Sequence, residues 1–124
     1  MNTQLKTMID GYIECAFFCD TPEDNNSEYF TYDNLSQEAL SKAYKDCESF
    51  YNSMHIQNCV PNNCNWDRIG IDFWYTRNGH GTGFWDNYKD EKGYSGNDQL
   101  LTDIARNFSE CYLYLGDDNK LYID

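Results

Sequence analysis

The sequence predicts an α+β domain: an antiparallel sheet of about four strands with helices packed on one face, in the order ααββαββ. Three observations predict it. Apolar residues recur every three or four positions in three stretches, the mark of helices that bury one face. Residues 69–76 instead alternate, with Ile69, Ile71, Phe73 and Tyr75 set against Gly70, Asp72, Trp74 and Thr76, the period of a half-buried strand. Glycine and Asx clusters at 77–83 and 116–119 supply the chemistry of two hairpin turns. No repeat or linker divides the 124 residues, so one domain spanning 1–124 is expected.

In chain order, the first helix is expected from about Thr3 to Phe18, with Leu5, Met8, Ile9, Tyr12, Ile13, Ala16 and Phe17 on one face. Gly11 inside it costs about 1 kcal/mol relative to alanine, which suggests a bend or a close neighbour. Residues 20–34 are acidic and turn-rich and read as an exposed loop, with Tyr29, Phe30 and Tyr32 folded back on the body. Ser36 is a natural N-cap for a second helix. Its face is Leu40, Ala43, Tyr44, Cys47, Phe50, Tyr51 and Met54, and it ends near His55 to Asn58, before Pro61.

The 69–76 strand then leads into Arg77-Asn78-Gly79-His80-Gly81-Thr82-Gly83, read as the polar tip of a hairpin, and Phe84-Trp85-Asp86 as its return. Residues 87–97 form a surface connection. Ser95 or Asn97 caps a third helix carrying Leu100, Leu101, Ile104, Ala105 and Phe108. Cys111 to Leu115 and Leu121 to Ile123 are strands joined by the turn GDDNK.

Composition narrows the function. The chain has 9 basic and 21 acidic residues, a formal net charge of -12 and a pI near 4.3, so direct nucleic-acid binding is not expected. No stretch reaches the roughly 20 apolar residues of a membrane span, and the first 20 residues lack a signal-peptide core. A cytoplasmic location follows as the expectation, with the six cysteines as reduced thiols. His55, Cys59 and Cys64, or Cys15 and Cys19, lack the paired spacing of a zinc site, so neither metal nor cofactor is expected.

Several stretches resemble an uncharacterised family of small proteins encoded by bacteriophages and prophages. They are YIECAFFCDTPED, LSQEALSKAYKDCESF, CYLYLGDDNKLYID and, most distinctively, IDFWYTRNGHGTGFWD with its RNGHGTGFWD core. The resemblance covers most of the chain and departs from the pattern at NCVPNNCN, residues 58–65. It implies a phage accessory protein, a class that often acts against host defences by blocking an enzyme or sequestering a nucleotide signal. It brings no catalytic residues with it.

The candidate site is the glycine-rich segment. Arg77, Asn78 and His80 would bind a ligand with Asp72, Trp74 and Trp85 beside them, the backbone amides forming an anion nest and the aromatics a stacking wall. Glu23, Asp24 and Glu28 in the acidic loop would meet a basic partner. The leading expectation is an acidic inhibitor that binds a host protein. The alternatives are a small-nucleotide-binding protein and a hydrolase with His80 as general base, oriented by Asp72 or Asp86. No Walker or GxSxG pattern supports either alternative.

Overall fold

The computed structural model describes residues 2–20, 31–62, 64–86 and 97–124. Four helices carry the fold: α1 (Thr3–Asp20), α2 (Gln37–Ile56), α3 (Trp66–Arg77) and α4 (Asp98–Arg106). Strands β1 (Leu113–Leu115) and β2 (Leu121–Ile123) form a two-stranded antiparallel sheet with Tyr114 opposite Tyr122. Short 3-10 turns lie at Tyr32–Asn34 and Phe84–Asp86.

The expected α+β class, with a four-stranded sheet in the order ααββαββ, is therefore wrong: the described residues are mostly helical with one two-stranded sheet, and the error sits at 69–86. The alternating stretch is helix α3, and Phe84–Asp86 is a 3-10 turn, not a returning strand. The burial pattern is helical: Ile69, Gly70, Asp72, Phe73, Trp74, Thr76 and Arg77 are buried, while Ile71 and Tyr75, four apart, are half-exposed. Positions two apart on a helix are about 200° apart. The supposed strand face is thus split, with Ile69 and Phe73 inward and Ile71 and Tyr75 outward. The apparent alternation imitated a strand because two faces of α3 are buried against different neighbours.

The small residues on α3 have their own cause. A Cβ on Gly70 would fall on the Met8 carbonyl of α1, and a Cβ on Gly11 would fall on the Asp67 carbonyl of α3. The two glycines let the helices cross at backbone contact, which explains the tolerated glycine in the middle of α1. Around this crossing lies an aromatic core. Phe50 of α2 stacks on Phe73 at 4.4 Å between ring centroids and on Phe84 at 5.6 Å, while Tyr12 meets Phe73 and Trp74, each at 5.1 Å.

The other expectations fare better. Ser36 caps α2, its Oγ accepting from the Ala39 amide at 3.0 Å. The α2 helix ends in a left-handed residue, Asn58 (φ 55°), with Cys59 N–H donating to the Met54 carbonyl. Helix α4 begins at Asp98 after Asn97, and the last hairpin forms where its pattern placed it. Its turn is closed by Gly116 N–H to the Lys120 carbonyl at 2.8 Å, with Asn119 at φ 66°. The second edge is partly covered, because Leu35 bridges Leu121 in parallel and Ser36 N–H donates to the Leu121 carbonyl. Most of the acidic loop, including Tyr29 and Phe30, and the Ser95 cap lie outside the described residues. Among those described, no helix is long and apolar enough to cross a membrane.

Candidate functional site

The glycine-rich segment begins as a helix end. Asn78 is the last half-helical residue of α3, Gly79 follows at φ 65°, His80 N–H donates to the Tyr75 carbonyl at 3.2 Å, and Gly79 N–H donates to the Thr76 carbonyl at 3.4 Å. These are the paired bonds of a Schellman stop, in which a left-handed glycine lets the final carbonyls find donors. The first glycine of the segment is thereby explained by helix termination.

Arg77 points inward, not to a ligand. Its side chain is 2% exposed, and its donors are taken by three other parts of the chain. Nη1 donates to the Tyr12 hydroxyl of α1 at 2.9 Å and to Asp46 Oδ2 of α2 at 2.7 Å, and Nε donates to the Ser109 carbonyl at 2.9 Å. The guanidinium also lies over Phe73 and Phe108, at 5.7 and 5.5 Å from their centroids. Burial alone would lower the Arg77 pKa. The negative ends of Tyr12, Cys111 and Asp46 outweigh it and hold the cation. Burial in turn pushes the Tyr12 phenol well above its ordinary value.

Asn78 is used in the same way. Its Oδ1 accepts from the Cys111 amide at 2.7 Å, fastening the segment before β1 to the end of α3. His80 alone of the three faces solvent, its ring edge-on to Tyr75 at 6.0 Å. No hydrogen bond reaches that ring from the described residues.

The remaining expected residues scatter into other environments. Asp72 is buried and Oδ2 accepts from Arg68 Nε at 3.2 Å, one turn back on α3. Trp74 is fully buried against Tyr12. Trp85 is 38% exposed and carries the Arg106 guanidinium 5.2 Å above its ring. Glu23, Asp24 and Glu28 lie outside the described residues, as does the side chain of Asp86. Asn78 and His80 do share one feature, an open cleft of about 370 Å³ that Asp20, Glu110, Cys111 and Tyr112 also line. Its charged groups are carboxylates, which suits a cation and repels a phosphate.

The surface that sequence reasoning passed over adjoins this cleft. On the last hairpin Leu113, Leu121 and Ile123 point into the core, so Tyr112, Tyr114 and Tyr122 share the opposite face. Their rings form a ladder, with Tyr112 to Tyr114 at 5.6 Å and Tyr114 to Tyr122 at 5.7 Å. Tyr122 donates to Asp118 Oδ2 at 2.6 Å. The alternation in CYLYL and LYI carried this signal.

The six cysteines are free thiols. Cys15 and Cys19 Sγ lie 3.9 Å apart along α1, and burial raises both pKa values. Among the described residues no group of three His, Cys, Asp or Glu side chains gathers as a metal site would. No described protein family, curated protein or solved structure matches this chain.

Proposed function

We propose that the protein is an acidic binding domain that acts on a host protein with a basic surface, as an inhibitor and without chemistry of its own. One observation carries the reading: the cation of the glycine-rich segment is consumed inside the fold. Arg77 gives its donors to Tyr12, Asp46 and Ser109, which removes the group on which nucleotide capture depended. What remains is a chain of formal net charge -12 that exposes Tyr32 and Tyr112. Such a charge speeds encounter with a basic partner, and tyrosine serves well as an interface anchor. A role in the cytoplasm of an infected cell belongs to the same proposal and rests on the sequence resemblance of RNGHGTGFWD to phage accessory proteins.

Affinity purification of the tagged chain from the host, followed by native mass spectrometry, tests this. The expected result is a basic protein held in fixed ratio and released by salt, whose own activity falls when purified chain is added. A chain that instead retains a non-covalent mass of a few hundred daltons would return the nucleotide reading to first place.

A further inference from the structure

We infer that the outer face of the β1–β2 hairpin is the docking surface, and that it takes an arginine- or lysine-rich segment of the partner laid across Tyr112, Tyr114 and Tyr122. This rests on the protein-binding reading above and adds the place and the chemistry.

The tyrosines have more exposure than the fold requires. A cross-strand pair such as Tyr114 and Tyr122 does stabilise a hairpin. Tyr112 precedes β1, is 56% exposed and touches only the outer ladder among the aromatic rings described. It contributes little to the core. Three adjoining phenol rings, Tyr112 exposed and Tyr114 and Tyr122 half-buried, form a face suited to guanidinium or ammonium groups, which the negative ring faces attract.

Charge complementarity selects the occupant. Tyr112 shares its cleft with Asp20 and Glu110, and its backbone pairs with that of Asp124. At the other end Tyr114 and Tyr122 line a second cleft of about 420 Å³ with Asp117 and Asp118. Glu38, at the start of α2, acts on Tyr122 through space. Lys120 is the one cation within the hairpin, residues 112–124. Carboxylates therefore stand at both ends of an aromatic track. A cationic side chain could lie over the rings while its neighbours reach each end, whereas an acidic or purely apolar segment would bring charges together or bury carboxylates unpaired.

The test uses the whole chain and a fluorescein-labelled octapeptide of alternating Arg and Thr, read by fluorescence anisotropy and by amide shift mapping. The shift map of the unmodified protein should centre on 110–124, and affinity should fall at least tenfold in Tyr112→Ala and in the Asp117→Asn/Asp118→Asn pair. Glu48→Gln/Asp103→Asn, the same charge change on helices outside the hairpin, should alter it less than twofold. Equal losses in both charge pairs with Tyr112→Ala unaffected, or shifts centred elsewhere, would overturn the assignment. If the host partner is captured equally by the Tyr112→Ala chain, this surface is wrong and the protein-binding reading survives. If the unmodified chain binds neither peptide nor partner, both fall.

Discussion

The Arg77 guanidinium donates to the Tyr12 hydroxyl at 2.9 Å across 65 residues of sequence, in the buried space where α1, α2 and α3 meet. The same nitrogen donates to Asp46 and the other side of the fork reaches Ser109, so one side chain ties the end of α3 to both other long helices and to the segment before β1. Removing it would leave the buried Tyr12 hydroxyl and the Ser109 carbonyl without that donor, while Asp46 would keep the Lys42 ammonium at 3.3 Å. Arg77→Met should lower stability by about 1–3 kcal/mol, the cost of leaving buried polar groups without their hydrogen-bond partner. Arg77→Lys should recover only part of this, because an ammonium cannot span the same acceptors. Urea unfolding followed by tryptophan fluorescence measures both.

The helix crossing gives a second prediction. Gly11→Ala and Gly70→Ala each force a methyl against a facing backbone carbonyl, which no rotamer can relieve. Each should cost about 3 kcal/mol or more, the upper end of overpacking, because the facing atom is backbone and cannot swing aside. Gly81→Ala meets nothing within 4 Å and should cost only its left-handed backbone strain, about 1–2 kcal/mol. Thermal unfolding of the three variants should separate the pair from the third.

Much of this was legible in the sequence, and the failure is local. The helices α1, α2 and α4 show because each buries one face and exposes the other, and Ser36 announces the start of α2 by its hydroxyl. The final hairpin shows because one side is wet, giving Leu113 and Ile123 inward against Tyr112 and Tyr122 outward. Helix α3 is enclosed on more than one side, by α1 through Gly70 and by the aromatic core through Phe73, so its pattern lost the 3.6 period. The candidate site failed with it. Arg77 in a glycine-rich loop suggests a free cation, whereas Arg77 on the last turn of a buried helix is a strut. Its partners Tyr12, Asp46 and Ser109 are set by tertiary packing and leave no mark in the sequence near it.

Thiol reactivity should follow burial. Cys15, Cys47, Cys59 and Cys111 are buried, and desolvation raises their pKa values, so few of them exist as the reactive thiolate at neutral pH. Titration with a disulfide reagent should modify Cys19 and Cys64 in the folded chain and the other four only after denaturation. Rapid reaction of all six without denaturant would contradict the packing.

The hairpin makes a pH prediction. Tyr122 donating to Asp118 lowers the carboxyl pKa below its ordinary value, and the same bond pushes the Tyr122 pKa up to about 12. A depressed carboxyl pKa contributes stability above its unfolded value that is lost as pH falls through the folded one. Tyr122→Phe should move the Asp118 pKa up toward its unfolded value, so the carboxylate protonates at higher pH and the stability lost on the acid side becomes smaller. A carbon-detected NMR titration of the Asp118 carboxyl reads it.

The most direct test of the central claim is the Arg77 side-chain Nε–H resonance in a nitrogen-15 spectrum of the unmodified protein. If Arg77 is a buried strut and the glycine-rich segment is a helix end, that proton exchanges slowly with water and shows cross-relaxation to the Phe73 and Phe108 rings. A fast-exchanging Nε–H without contacts to those rings would put the guanidinium in solvent, contradict the account and restore the segment as a ligand loop.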